Sequence, residues 1–371
     1  MRILFVFGTR PEAIKLFPLI HAAQGDAGST ALVCVTAQHR QMLNQVLRVA
    51  GISPDVDLDI MRPDQGLAEL TSAALQGVQG VIDRLQPDLV VVQGDTTTAF
   101  AGALAAFYRR VPIAHVEAGL RSGDLQAPWP EEANRRFISQ IATYHFAPTP
   151  AAAENLLKEG ARPDSVTVTG NTVIDALLWT RQRLIEDRGL AGAVTESLPA
   201  LDPEKRLILA TAHRRENFDG GIERIARALA RLAARGDVEI VFPVHLNPKV
   251  QAPVRRILKE TPSVHLLEPL DYLPFTHLLG RAHLTITDSG GVQEEAPAFG
   301  VPALVTRETT ERPEGVDAGT ARLVGADEER IVSEACRLLD DAEAHTAMSR
   351  AHNPFGDGHA AERIMDRLRD A

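Results

Sequence analysis

The chain has 371 residues, of which 44% are hydrophobic and 24% charged, with a formal net charge of −10. That length exceeds one ordinary hydrophobic core and points to two domains, and the composition is that of a soluble globular protein. The negative balance argues against a nucleic-acid partner, whose phosphates it would repel, and leaves room for a small phosphorylated ligand in a locally basic pocket. Cys34 and Cys336 lack a CxxC partner, which argues against a disulfide framework or a zinc site and fits a reducing cytoplasm. No run approaches the ~18 apolar residues of a membrane span. The apolar run 3–7 is too short for a signal peptide, so the expectation is a cytoplasmic protein with no membrane partner.

In chain order, residues 2–7 read as a buried parallel strand, followed by the turn Gly8-Thr9-Arg10-Pro11-Glu12 into a helix whose first turn suits Pro11. Arg10 and Lys15 stand at or near that helix start, a natural anion site. The turn lacks the GxGxxG pattern of dinucleotide-binding proteins, which speaks against a nicotinamide cofactor. Residues 32–35 and, more weakly, 56–60 predict further strands, and residues 67–85 a long amphipathic helix.

Residues 89–117 then form a βαβ unit: an apolar run ending in Gly94-Asp95, a Thr-rich turn, an Ala-rich helix, and a second apolar run, 111–116, ending in Glu117. Asp95 and Glu117 therefore fall just past the carboxyl ends of neighbouring strands, where open α/β sheets bind ligands. Glu131 begins the helix after Pro128-Trp129-Pro130, with Arg135 one turn on. Taken singly, Asp95 reads as a helix cap and Glu131 as the i,i+4 partner of Arg135. Taken together at strand ends, the three acids point to proton-transfer chemistry.

Strands at 144–147 and 166–169 close the first half, and residues 179–205 read as a connector, helical at first and loop-like from 189 to 203. The second half repeats the alternation, with strands at 207–211, 239–244, 264–267, 284–287 and 303–305. Doubly wound α/β sheets follow for both halves. His213 lies just past a strand end beside Arg214 and Arg215, where its protonated form is disfavoured unless an anion binds. Ser289-Gly290-Gly291 lets a ligand approach the backbone closely. Glu294 and Glu295 lie one turn further, where a carboxylate can accept from ribose hydroxyls, and Arg312 adds a cation.

Eight segments carry a resemblance: GTRPEAIK at 8–15, GDTTT at 94–98, HVEAGLRSGD at 115–124, then PWPEEANRR, TAHRRENF, FPVHLNP, DSGGVQEEAP and TERPEGV. In this order, over nearly the whole chain, they resemble the non-hydrolysing UDP-N-acetylglucosamine 2-epimerases of bacteria. The resemblance implies an α/β architecture of the glycosyltransferase-B type, two Rossmann-like domains facing across a cleft. These would be residues 1–172, with a last helix at 354–371 packing back on them, and residues 173–353. It further implies a homodimer that epimerises C2 of UDP-N-acetylglucosamine to give UDP-N-acetylmannosamine, by eliminating UDP to 2-acetamidoglucal and adding it back, without cofactor or metal.

By the same resemblance Asp95, Glu117 and Glu131 are acid/base residues, with the one that removes the C2 proton left open, and His213 assists near the diphosphate. Arg10, Lys15, Ser289 and Gly290 hold the diphosphate, with Gly291 beside them. Glu295 matches a ribose-binding acid, Phe275 a uracil neighbour, and Arg135 and Arg312 further substrate contacts. Leu270 stands where some relatives carry a Gln that reaches uracil. Gln38, His39, Gln41 and Gln65 resemble part of an allosteric site for a second UDP-N-acetylglucosamine, with Asp64 where some relatives carry Arg. The competing readings are a glycosyltransferase of the same architecture, a hydrolysing epimerase that releases free N-acetylmannosamine, and a nucleotide-sugar sensor. The three acids weigh against the transferase and the sensor.

Overall fold

The computed structural model describes residues 1–36, 40–62 and 65–370, apart from the side chains of 40–42. The chain forms two compact units, Met1–Ala176 with Gly356–Ala371, and Leu177–Phe355.

The first unit is built on β1 (Arg2–Phe7), β2 (Thr30–Val35), β3 (Val56–Asp57), β4 (Leu89–Gln93), β5 (Ile113–Val116), β6 (Tyr144–Ala147) and β7 (Val166–Val168). They form one sheet in the order β3-β2-β1-β4-β5-β6-β7, every pair parallel. Strands covered on both faces need apolar residues at nearly every position, and β1 and β4 supply them: residues 3–7 and 89–93 are all buried. The helix Thr97–Tyr108 lies close on this sheet because of Gly102, whose missing Cβ would stand 3.1 Å from Val6 Cγ1 and 3.3 Å from Val92 Cγ1. After β5 the chain presses on the helix Pro150–Lys158 at Gly119, where φ is +90° and a Cβ would fall 2.1 Å from the Ala152 carbonyl oxygen.

Two predicted strands are shorter than their apolar runs. β3 stops at Asp57 because Asp59 has a φ of 45°, outside extended backbone. β5 begins at Ile113 because Pro112 has no N–H for the ladder.

The second unit contains β8 (Arg206–Thr211), β9 (Val238–Pro243), β10 (Val264–Leu267), β11 (Leu284–Thr287), β12 (Ala303–Val305) and β13 (Ala321–Leu323). Its order is β10-β9-β8-β11-β12-β13, again all parallel. The predicted loop at 189–203 is instead largely a helix, Arg188–Glu196, whose N-cap Asp187 accepts from Leu190 N at 3.0 Å. Gly189 and Gly192 hide that helix from a composition reading.

The last helix, Ala360–Arg369, belongs to the first unit: Ala360, Ala361, Ile364, Met365 and Leu368 are buried, it packs on the helix Arg10–Gly25, and Ala361 N donates to Asp175 Oδ1 at 2.8 Å. Among the described residues no helix is long and apolar enough to cross a membrane. In each sheet the winding direction reverses beside the unit's first strand, between β1 and β4 and between β8 and β11. Such switch points are where doubly wound sheets take ligands.

Candidate active site

At the switch point of the first unit the chain leaves β4 through Gly94, whose φ of +68° suits glycine. The turn is held on both sides, since Gly94 N donates to Val116 O at 2.9 Å and His115 Nε2 donates to Gly94 O at 2.8 Å. Asp95 follows, and its carbonyl accepts from Asn134 Nδ2 at 2.9 Å. Its carboxylate pairs with Arg135, so Arg135 serves Asp95 rather than Glu131. Thr96, not Asp95, caps the following helix, accepting from Ala99 N at 2.9 Å.

Thr96 Oγ1 also donates to Glu12 Oε1 at 2.7 Å, while Glu12 Oε2 accepts from Gly8 N, Thr9 N and the Thr9 hydroxyl at 3.0, 2.8 and 2.7 Å. Glu12 thus ties the turn after β1 to the turn after β4. It is fully buried, and that burial raises its pKa against the lowering effect of these bonds. Arg10, at the start of the same helix, has no ion-pair partner among the described residues.

Glu117 ends β5 in a left-handed conformation, φ 62°, which costs a non-glycine residue about 1 kcal/mol or more. Three side chains hold it there. Lys15 Nζ reaches both carboxylate oxygens, Gln93 Nε2 donates a short bond to Oε2, and Asn171 Nδ2 donates to Oε1 at 3.4 Å. Only 9% of Glu117 is exposed. The pKa of Asp95 is raised, first by burial and also by the Glu117 charge, with the Arg135 charge working against both. The Glu117 charge thus bears on the Asp95 carboxyl.

Glu131 begins the helix Glu131–Ile141, half-buried and without a hydrogen-bond partner among the described residues. The buried acid of that pair is Glu132, which accepts from Ser122 N at 3.0 Å and Arg136 Nε at 3.1 Å and faces Arg135 Nη1 at 3.3 Å.

In the second unit the switch point is bridged by Asp288, fully buried just past β11. Its carboxylate accepts from His213 N at 3.0 and 2.9 Å, Arg214 N at 2.9 Å and Asn217 Nδ2 at 3.0 Å. His213 Nδ1 lies 3.1 Å from the same carboxylate, which fixes the ring and leaves Nε2 without a partner among the described residues. The His213 ring also stacks on His245 at 5.9 Å. Burial works to raise the Asp288 pKa, but the hydrogen bond and charge of His213 and the two backbone donors outweigh it, so the carboxyl is held below its ordinary value.

Ser289 N donates to Thr287 Oγ1 at 2.9 Å, Gly290 and Gly291 open a short helix, and the Glu295 carboxylate reaches back within 3.6 Å of where a Gly291 Cβ would be. Arg312 is engaged by the buried Glu294. Phe275 is half-buried and packs on the apolar cluster of its sheet that contains Leu278, Val292 and Val305. Gln38, His39 and Asp64 and the side chain of Gln41 lie outside the described residues, and Gln65 Oε1 accepts from Arg62 N at 3.2 Å.

Sequence reading alone did not single out Glu12, Gln93, Asn134, Asn171, Asn217 or Asp288. The Thr9-x-x-Glu12 spacing is a capping-box signal that could have found the first. Asp288 precedes the Ser-Gly-Gly turn directly, and the others carry no local signal.

Two parallel doubly wound units with polar side chains gathered at their switch points define a protein of the glycosyltransferase-B fold class. Consistent with this, the structure resembles Acinetobacter baumannii MurG in fold alone (TM-score 0.58, 16% identity, 100% of this chain and 99% of that chain). The chain belongs to the UDP-N-acetylglucosamine 2-epimerase family, whose model matches residues 21–369. It is 54% identical over 371 residues to the UDP-N-acetylglucosamine 2-epimerase of Escherichia coli (strain K12), covering 100% of this chain and 99% of the relative. It is similar to the crystal structure of UDP-GlcNAc 2-epimerase from Neisseria meningitidis bound to UDP-GlcNAc, with a TM-score of 0.91, 45% identity and full coverage of both chains.

Proposed function

We propose that this protein interconverts UDP-N-acetylglucosamine and UDP-N-acetylmannosamine without hydrolysis. Family membership supports the reading, and one observation carries it: Asp95 and Glu117 stand at adjacent strand ends, each paired with its own cation.

The C2 proton of the sugar is not beside a carbonyl and is barely acidic. Breaking C1–O first, with the bonding electrons leaving on the diphosphate, makes C1 oxocarbenium-like and C2–H acidic. A carboxylate takes that proton and 2-acetamidoglucal remains. A proton returned to the other face of C2, and UDP returned to C1, give the epimer with no net redox change. Asp95, Glu117 and Glu131 share the two proton transfers. Asp95, with its raised pKa, is suited to give a proton, and Glu117, facing an ammonium, to take one.

His213, oriented by Asp288, acts at the diphosphate, with Arg10, Lys15, Ser289, Gly290 and Gly291 stabilising leaving UDP. Glu295 takes the ribose and Phe275 borders the uracil, while Arg135 and Arg312, held by Asp95 and Glu294, are further substrate contacts. The working protein is a homodimer joined through the exposed aromatic rings of Phe107, Tyr108 and Phe137, which are 51–57% exposed on the first unit. It works in the cytoplasm, where the free thiols of Cys34 and Cys336 stay reduced.

The test is proton NMR of UDP-N-acetylglucosamine incubated with the protein in D₂O. Deuterium at C2 together with growing UDP-N-acetylmannosamine supports the proposal. Free N-acetylmannosamine points to hydrolysis instead, and an unchanged spectrum despite binding sinks it.

A further inference from the structure

Of the side chains that hold Glu117, Asn171 stands where the chain changes units. It is 3% exposed and directly precedes the helix Thr172–Glu186. Its Oδ1 accepts from Val173 N at 3.1 Å and so caps that helix. A backbone N–H can only donate, so the atom it meets is the amide oxygen, and the NH2 group must face the other way. It faces Glu117, with Nδ2 3.4 Å from Oε1. Capping and the Glu117 contact thus use opposite ends of one amide.

The backbone of Asn171 is pinned from behind. The chain leaves the first unit after Ala176 and re-enters it at Gly356. Gly356 lies against Asn171: a Cβ there would stand 3.4 Å from Asn171 N, 3.6 Å from Asn171 O and 3.4 Å from Ile174 Cγ1. Its φ of +148° is one that L side chains rarely adopt. The residue before it, Phe355, is buried in the second unit, with Cε2 3.4 Å from where a Gly315 Cβ would stand. A single peptide bond therefore joins a ring fixed in the second unit to a glycine seated on Asn171. Just beyond, Arg363 Nη1 donates to Thr169 O at 3.0 Å and Ala361 N to Asp175 Oδ1 at 2.8 Å. The returning segment is thus fastened on both sides of Asn171.

We propose that Asn171 is a positioning residue for the reaction: its amide aims the Glu117 carboxylate, and the chain returning at Gly356 sets where that amide stands. The inference rests on the reading of Glu117 as a proton-transfer residue. A carboxylate that moves a proton is sensitive to small errors of placement, since a misplacement of about 1 Å can cost about 100-fold in rate. Asn171 reaches the reaction only through Glu117, and a displacement at Gly356 reaches Glu117 through Asn171.

The experiment is steady-state epimerisation kinetics of the full chain, with urea unfolding to establish that each protein is folded. The proteins are wild type, Asn171→Asp, Asn171→Ser, Gly356→Ala and the double variant Asn171→Asp/Gly356→Ala. Asp and Ser rank with Asn as helix caps, so a residue that only capped the helix would tolerate both. Neither offers Glu117 the amide donor, and Asp turns a like charge on it. We expect kcat to fall about 100-fold in Asn171→Asp and about tenfold in Asn171→Ser, with KM within about twofold of wild type, because the amide acts in the reacting complex rather than in binding. Gly356→Ala should lower kcat about tenfold at unchanged KM, and that further loss should shrink to about twofold or less in the double variant, because both changes act on one carboxylate. Asn171→Asp turning over within about twofold of wild type overturns the proposal, as does a Gly356→Ala loss that is absent or carried undiminished into the double variant. Should Asn171→Asp or Gly356→Ala fail to fold, Asn171→Ser decides by the same twofold criterion. Wild type that does not epimerise at all fails the function proposed above, a different result from active wild type with variants equal to it.

Discussion

Lys15 Nζ donates to both carboxylate oxygens of Glu117, at 2.7 and 2.6 Å, joining the first helix of the chain to the left-handed residue at the end of β5. Removing the ammonium leaves a nearly buried carboxylate facing the side-chain amides of Gln93 and Asn171. Lys15→Met is expected to cost about 3 kcal/mol of stability, at the low end for breaking a buried pair because these amides remain. It should lower kcat/KM about 100-fold or more. Urea unfolding and steady-state kinetics check the two effects. A variant as stable as wild type would show that Glu117 needs no counter-ion.

Asp95 is predicted to hold its proton above the ordinary aspartate range, because burial and the Glu117 charge outweigh Arg135. Carboxyl carbon NMR of selectively labelled protein reads this directly. Glu117→Gln removes a neighbouring negative charge and should lower the Asp95 pKa, whereas Arg135→Gln removes a positive one and should raise it. Shifts of the same sign in both variants would contradict the pairing.

Asp288→Asn keeps an oxygen for the backbone N–H groups of His213 and Arg214 but withdraws the charge facing His213 Nδ1. We expect kcat to fall about 100-fold or more with KM little changed, since an imidazole in the wrong orientation fails in the reacting complex rather than in binding. Asp288→Ala strands those donors and should in addition cost about 2–4 kcal/mol, measured by thermal unfolding.

His115 is buried and neutral, its pKa lowered from 6.5 to about 3, first by burial. The unfolded chain takes up a proton near pH 6.5 that the folded chain refuses until about pH 3. The stability that goes with neutral His115 is therefore complete above the upper value and is lost as pH falls towards the lower one, at up to ~1.4 kcal/mol per pH unit. Unfolding measured on both sides of the upper value should show that slope, and His115→Gln, which cannot titrate, should show less of it.

Gly119→Ala places a methyl 2.1 Å from the Ala152 carbonyl oxygen at a φ of +90°. Either fault alone is destabilising, and together they should cost about 3 kcal/mol or more. A melting temperature equal to wild type would mean that the helix Pro150–Lys158 can retreat.

The strands β6, β10, β11 and β12 and the helix Leu67–Leu85 stand where the apolar runs place them, because parallel strands buried on both faces leave continuous hydrophobic stretches between turn residues. β13 escaped notice because three residues with Arg322 in the middle make no such run. Partners at the site were far less legible. Arg135 sits four residues from Glu131 in sequence yet bonds Asp95, 40 positions away. Lys15 and Glu117 are 102 residues apart. Periodicity reports which face a residue takes, and the sheet order that brings β1 beside β4 is written in no local pattern.

The first unit is not continuous in the chain, and its helix Ala360–Arg369 is separated from the rest by the whole second unit. On a ribosome, therefore, the first sheet and its surrounding helices emerge long before the segment that finishes them. At typical elongation rates the wait is on the order of ten seconds or more. During it the surface that will receive Ile364, Met365 and Leu368 is open to water. The nascent first half thus spends translation as an unfinished body, with apolar surface uncovered until the last helix arrives.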